Sequence, residues 1–368
     1  MKKPKRYSLM EDYMDEADIW VYYQEDIDRI VLNAEKENSW TDDSWDDGSF
    51  DDNSDDNSDD IDGYDDCTSA VISELSADIG VAASKLGWLY STWKTWNQWY
   101  KVYTIPKRHE GFRVISAPQG LLLSVQRAIN ENVLSKFKYL DCCHGFRKEH
   151  SILTNAAPHA NQDLIIKVDI KDFFQSISAC RVYGIFKKIG YNTQSARFLT
   201  RLCTYNGVLP QGAPTSPALA NRICQHMDKR IQGLIIRNFA EYTRYADDIT
   251  VSGFSDIVRL LPLIKHIIYD EGFVVAENKV RVCRRNMRQQ VTGLTVNDGV
   301  KIPRDIKKRI RAMIHATVTA RRLHFENNDL SGKAFRGYVS YLHFIDSEYS
   351  NKAWDAAIRN SVNLEDKE

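Results

Sequence analysis

Nowhere in the 368 residues is there a run of eighteen apolar side chains, so no segment reads as a membrane-spanning helix. The N-terminal stretch "MKKPKRYSLMEDYMDE" is basic but lacks the apolar core of a signal peptide. These absences point to a soluble, cytoplasmic protein with no membrane partner. Cysteine is sparse: there are seven, an odd number, with no C-x-x-C pair and no spacing suited to zinc, and "DCCH" at 141–144 stands alone. Buried, reduced thiols are expected. Residues 41–66 contain no Lys or Arg at all and thirteen Asp. A segment so short of apolar side chains cannot offset its ordering entropy and is expected to be disordered in isolation. Its DxDxDG-like runs lack the bidentate Glu at the twelfth loop position, which argues against an EF-hand. Three roles stay open for it: a solvated linker, a nucleic-acid mimic lying in a basic groove of the same chain, or a site for a basic partner protein.

What the chain does have is a 43% hydrophobic content, enough for one large or two ordinary domains. Its net charge of -1 conceals an imbalance. Residues 1–66 hold 6 Lys/Arg against 23 Asp/Glu, a charge of -17, which leaves the remainder at +16. A body that basic suggests a polyanionic partner.

From residue 67 onward the periodicity is that of a folded domain. "TSAVISELSADIGVAASKLGWLYSTWKT" predicts two helices broken near Gly80 and Gly87, and "WYKVYTIPKRHEGFRVISAP" a hairpin around "RHEG". "LLLSVQRAINENVLSKF" has a helical period. "DLIIKVDI" at 163–170 reads as a buried strand, followed by a helix that Ser178 can cap. "PTSPALANRICQHMDKRIQGLIIRN" predicts one long helix after the loop "LPQGAP". "SDIVRLLPLIKHIIYDEG" predicts a helix stopping at Gly272. "QQVTGLTVNDGVKIP" suggests a hairpin turned by "NDG", and Pro303 opens a strongly basic helix.

Between two runs that read as buried strand stands "RYADDITVSG", which places Asp247 and Asp248 side by side. Neighbouring carboxylates resist burial unless a cation lies between them. A third, Asp169, ends the strand "LIIKVD" and can face the same sheet edge. Three converging carboxylates form a hard oxygen set suited to Mg²⁺, and two such ions about 4 Å apart serve in-line phosphoryl transfer.

"IIKVDIKDFFQSI", "LPQGAPTSPALANRIC", "TRYADDITVSG" and "GFVVAENKV" follow one another in the order of palm motifs A, B, C and D of reverse transcriptases, and the chain resembles that family. "NAAPH" at 155–159 and "VTG" at 291–293 resemble two signatures of the bacterial retron members, carried by Asn155, His159, Val291, Thr292 and Gly293. The likeness covers roughly residues 85–365 and has no counterpart for the acidic extension.

The resemblance implies that Asp169 and Asp247 bind both of two Mg²⁺ ions, with Asp248 more peripheral. It implies that Phe174 is an aromatic gate against a 2'-hydroxyl, with Phe173 filling the core beside it. Gln211 and Gly212 match the loop that meets the incoming nucleotide, stiffened by Pro210 and Pro214. Arg113, with Lys107 and Arg108, matches the cations that meet the triphosphate. Lys279 matches the motif D lysine, a general acid for departing pyrophosphate or simply a surface cation. Tyr245 belongs to the turn near the primer terminus. For His159 and Asn155 a capping or hydrogen-bonding role is expected, since nothing in the sequence puts them near the metals.

Between Lys279 and Arg311 there are eleven Lys/Arg and two acids, Asp298 and Asp305, dense enough to track phosphates. In the family this region recognises a folded RNA. Phe325, Phe335, Tyr338 and Tyr341 could stack on RNA or fill the core. The expected fold is α+β, a right-hand polymerase with fingers, an antiparallel palm sheet and a helical, basic thumb. The expected divisions are an acidic extension at 1–66, fingers and palm at 67–298, and the thumb at 299–368. By resemblance the partners are dNTPs, a structured non-coding RNA with its DNA product, and an effector protein in anti-phage defence. Competing readings are a group II intron-like or untemplated defence reverse transcriptase, against which the lack of a maturase or endonuclease extension counts for the intron form, and a non-catalytic RNA and effector scaffold.

Overall fold

The computed structural model describes residues 69–92, 98–106, 111–320, 324–325, 328–329, 332–345, 347–348, 350–352 and 355. The acidic extension, Lys107, Arg108 and Cys67 lie outside them, as do the side chains of Phe325 and Phe335, together with the expectations made for them.

Helix α1 (Ser69–Ile79) stops where Gly80 takes a φ of 75°, a left-handed conformation that costs glycine least. Helix α2 (Ala83–Ser91) then runs straight through Gly87, so only the first of the two expected breaks exists. Strands β1 (Tyr100–Pro106) and β2 (Phe112–Pro118) pair antiparallel over their full length as expected. Helix α3 (Gly120–Asn132) leads to a short helix α4 (Ile152–Ala156), where Ser151 and Thr154 satisfy each other's backbone N–H in a capping box.

Strand β3 (Leu164–Asp169) buries Ile165, Ile166 and Val168 almost completely. Each such side chain contributes about 1.5–3 kcal/mol. Ser178 caps α5 (Ala179–Lys188) by accepting the Arg181 N–H, and Asn192 caps α6 (Thr193–Cys203). The expected long helix is two: α7 (Ser216–Ile223) and α8 (Gln225–Ile236) meet at Cys224, whose ψ of -7° departs from helical geometry.

Strands β4 (Glu241–Tyr245) and β5 (Asp248–Gly253) form the hairpin around the carboxylate pair. Pro262 lies in the first turn of α9 (Leu261–Asp270), and strand β6 (Arg281–Arg284) follows. The palm sheet has the order β4-β5-β3-β6, every pair antiparallel. β3, whose run of apolar residues suits burial on both faces, therefore lies inside the sheet.

Strands β7 (Gln290–Val291) and β8 (Leu294–Thr295) are joined by Thr292 and Gly293, with φ of 44° and 83°. The tight turn of this hairpin thus falls on the VTG triplet, and "NDG" makes a second, looser turn beyond it. Two successive positive φ values are what a two-residue hairpin with right-handed strand twist requires. Helix α10 (Arg304–Ala320) buries Ile310, Met313 and Ile314 while Arg304, Lys308, Arg309 and Arg311 stay exposed. A short pair, β9 (His324–Phe325) and β10 (Asn328–Asp329), precedes α11 (Gly332–Ile345). Among the described residues no helix is long and apolar enough to cross a membrane.

Cys142, Cys143, Cys203 and Cys224 are buried as expected, but Cys180 is exposed and Cys283 half-buried; all six are free. The "DCCH" stretch does not stand alone in space. Arg244 N–H donates to the Cys142 carbonyl and His144 N–H to the Arg244 carbonyl, each at 2.8 Å, so this segment runs beside β4.

Candidate active site

The register of the sheet sets Asp169, the last residue of β3, directly opposite Asp248, the first of β5. Asp247 lies one residue earlier in the two-residue loop, and its carbonyl accepts the Ile170 N–H at 3.0 Å. Strand ends and a hairpin tip thus bring the three carboxylate residues to one edge of the sheet. Burial first, then the neighbouring Asp169, pushes the Asp247 carboxyl above the ordinary range. Burial likewise raises that of Asp248 in spite of Lys167.

Two ammonium groups answer this negative charge. Lys279 Nζ donates to Asp169 Oδ1 at 2.7 Å, and Lys167 Nζ lies 3.1 Å from Asp248 Oδ2. Lys279 is delivered there by backbone pairing: Ala276 N–H donates to the Asp169 carbonyl and Lys171 N–H to that of Val274. The donor chemistry suits a hard divalent cation, because three carboxylate residues stand at one edge and burial raises two of them above the ordinary range. The carboxyl groups of Asp169 and Asp248 nevertheless turn to lysines. Among the described residues no three His, Cys, Asp or Glu side chains are set to grip an ion. The expected meeting at one point is therefore realised in the backbone register and not in the carboxylate oxygens.

Phe174 is half-buried, its ring centroid 5.3 Å from that of Phe173 and 6.1 Å from that of the exposed Phe146. Phe173 is buried against Phe273, as a core residue should be. Gly212 has a φ of 122°, and a Cβ there would lie 2.9 Å from Ile115 Cγ2. The close approach that demands glycine is thus to β2, where Ser116 N–H donates to the Gln211 carbonyl at 2.8 Å. Arg113 is exposed three residues away on the same strand.

Asn155 and His159 sit behind the sheet. His159 is fully buried, its Nδ1 2.6 Å from Ser252 Oγ and its Nε2 2.8 Å from Thr243 Oγ1, so it ties β4 to β5. Asn155 Nδ2 donates to Thr292 Oγ1 at 3.4 Å, and Thr292 donates to the Ile152 carbonyl. Ala156, Val291 and Leu294 pack with Ile165 of β3. The "NAAPH" and "VTG" stretches are therefore one structural unit supporting the palm.

Burial pushes the His159 imidazole down to about 3, whereas a histidine in an unfolded chain titrates near 6.5. A depressed folded pKa means that protons favour the unfolded chain, so stability is complete above about pH 6.5 and is lost as the pH falls toward 3. Urea midpoints should drop between pH 7 and pH 5, and His159→Gln should make that drop shallower. An unchanged slope in the variant would contradict this.

Sequence reasoning missed the group that holds the turn itself. Arg244 is 0% exposed, and its guanidinium meets both carboxylate oxygens of Asp228. Burial alone would weaken its charge, but Asp228 more than offsets this and keeps Arg244 cationic. The signal was present, since Asp228 lies among Cys224, Ile231 and Ile235 on the apolar face of its helix, where a lone carboxylate needs a buried cation.

The pattern of the family described as "Reverse transcriptase (RNA-dependent DNA polymerase)" matches residues 105–311. The chain is 37% identical over 254 residues to the Retron Ec86 reverse transcriptase of Escherichia coli, covering 68% of this chain and 77% of that one. It is 35% identical over 278 residues to the Retron Mx162 reverse transcriptase of Myxococcus xanthus, covering 66% and 57% of the two chains. A third relative, the Retron Mx65 reverse transcriptase of the same organism, is 34% identical, with coverage of 69% and 63%. The chain thus spans less than two thirds of both Myxococcus relatives.

Proposed function

Because this chain belongs to the bacterial retron reverse transcriptases, RNA-directed DNA polymerases of a family that uses divalent metal ions, we propose that it copies a dedicated structured RNA into DNA at the β4–β5 turn. The observation that carries the reading is the register of Asp169 against Asp248, with Asp247 in the adjoining loop and Lys279 beside Asp169. In this reading Asp169, Asp247 and Asp248 hold two Mg²⁺, which supply charge neutralisation and an acidified primer hydroxyl for in-line phosphoryl transfer. Arg113 meets the triphosphate through its planar fork. Gln211 and Gly212 line the nucleotide between palm and fingers. Lys279, released from Asp169, gives a proton to the departing pyrophosphate.

Phe174 lies beneath the sugar and rejects a 2'-hydroxyl by contact. Phe174→Ala should lower the dNTP/rNTP preference by about tenfold or more, the scale of a lost steric contact. Single-nucleotide incorporation kinetics check it, and an unchanged preference would count against the gate.

The exposed cations of α10 follow the phosphates of the RNA, whose stems are read by shape and 2'-hydroxyls. Synthesis starts from the 2'-hydroxyl of a guanosine in that RNA and leaves a branched, RNA-linked single-stranded DNA. An effector protein joins the complex in defence against phage. The test is to isolate the protein from its native host and sequence the nucleic acid that accompanies it. A DNA joined to RNA through a 2' linkage supports the reading, and unlinked or random nucleic acid refutes it.

A further inference from the structure

The loop that carries Asp247 is strained and is gripped from two sides. Ala246 has a φ of 58°, a left-handed conformation that an alanine keeps only when its surroundings impose it. From behind, Arg244 Nη1 donates to the Ala246 carbonyl at 3.0 Å and to Asn221 Oδ1 at 3.1 Å. Its Nε and Nη2 hold the two oxygens of Asp228 at 2.7 Å each. The hairpin tip is thereby fastened to α7 through Asn221 and to α8 through Asp228. From the other side Gly145 presses on the loop, for a Cβ there would lie 2.4 Å from Ala246 N and 3.1 Å from the Tyr245 carbonyl carbon. Asn221 also donates to the Gly145 carbonyl at 2.8 Å, so one amide links both jaws.

We propose that Arg244, together with Asp228 and Asn221, is a positioning residue that fixes the Ala246–Asp247 loop and so sets Asp247 against Asp169. The inference rests on the reading of Asp247 as a site residue. A buried ion pair is commonly replaced by apolar side chains with little loss of stability, so stability alone does not explain this one. What apolar side chains cannot supply is the third arm, an N–H on the carbonyl of a strained loop whose placement must hold within about 0.5 Å for chemistry.

The test pairs Arg244→Met with Asp228→Leu, which removes both buried charges at once. The double variant should keep its melting transition within a few degrees. Its kcat for dNTP addition should fall about 30-fold or more, as a misplacement near 1 Å can cost 10²-fold, with KM for dNTP and RNA affinity within about twofold of the parent. Mn²⁺ binding to the nucleotide-free protein, followed by electron paramagnetic resonance, should weaken in parallel. A folded double variant with parental kcat and Mn²⁺ affinity overturns the proposal. If the double variant does not fold, Arg244→Lys carries the same expectation, since one ammonium cannot span Asp228, Asn221 and Ala246. Asp247→Asn is measured alongside. If that variant is dead and the folded clamp variant is unaffected, only the clamp is rejected. If Asp247→Asn retains the parental rate, the site reading falls and the clamp falls with it.

Discussion

Changing Asp247 and Asp248 together to alanine should reduce dNTP incorporation by roughly 10³-fold or more, since removing one preorganised charge-stabilising group already costs about 10²–10³. RNA affinity should stay within about twofold, because the exposed cations proposed to bind it lie on α10 and not at the sheet edge. The stability of the metal-free protein should not fall with activity. The folded Asp247 carboxyl titrates above its ordinary value, so its ionised form opposes folding once the pH rises past about 4. Removing that charge at neutral pH relieves the structure. Primer extension on an RNA template, RNA-binding titration and thermal melting read the three effects. Synthesis at the parental rate would remove the basis of the mechanism.

The largest expected effect on stability belongs to Asp228→Ala. Asp228 and Arg244 are 1% and 0% exposed, and Asp228 also accepts the Tyr242 hydroxyl at 2.6 Å. Truncating the carboxylate strands a buried guanidinium, a change that costs about 3–5 kcal/mol. That is a large part of the 5–15 kcal/mol by which domains are stable, so little soluble protein should accumulate. Exchanging the pair for Leu and Met leaves no orphaned charge and should recover most of the loss. Urea unfolding of the single and double variants measures both, and a single variant within about 1 kcal/mol of the parent would show the pair to be solvated after all.

The parts of this site that were legible in the sequence are those fixed by local pattern. The apolar run ending in Asp169 and the two segments flanking Ala246 and Asp247 declare themselves as strands, and the two-residue loop between β4 and β5 follows. The Ser178 cap and the left-handed Gly80 and Gly272 are also local, and the structure has them. Errors arose where local propensity was overruled. "NDG" does turn the chain as expected, with Thr295 and Lys301 exchanging both backbone N–H···O bonds at 2.8 Å across it, but the hairpin that carries Val291 and Leu294 to the core beside Ile165 turns earlier, on Thr292 and Gly293. Gly87 stays inside a helix because Leu86 and Leu89 are buried on either side of it. Contacts between distant residues left the faintest trace. His159 reaches Ser252 across 93 positions and Arg244 reaches Cys143 across 101, and no periodicity encodes either. Only the misplaced carboxylate of Asp228 hinted at the buried network.

The most direct measurement replaces Mg²⁺ with Fe²⁺ and adds ascorbate and peroxide, so that hydroxyl radicals formed at the bound ion cut the nearest backbone. Cuts should appear beside Asp169 and beside Asp247–Asp248, both suppressed by excess Mg²⁺ and absent from the Asp247→Ala variant. Cleavage confined to other parts of the chain, or cuts that survive that substitution, would contradict it.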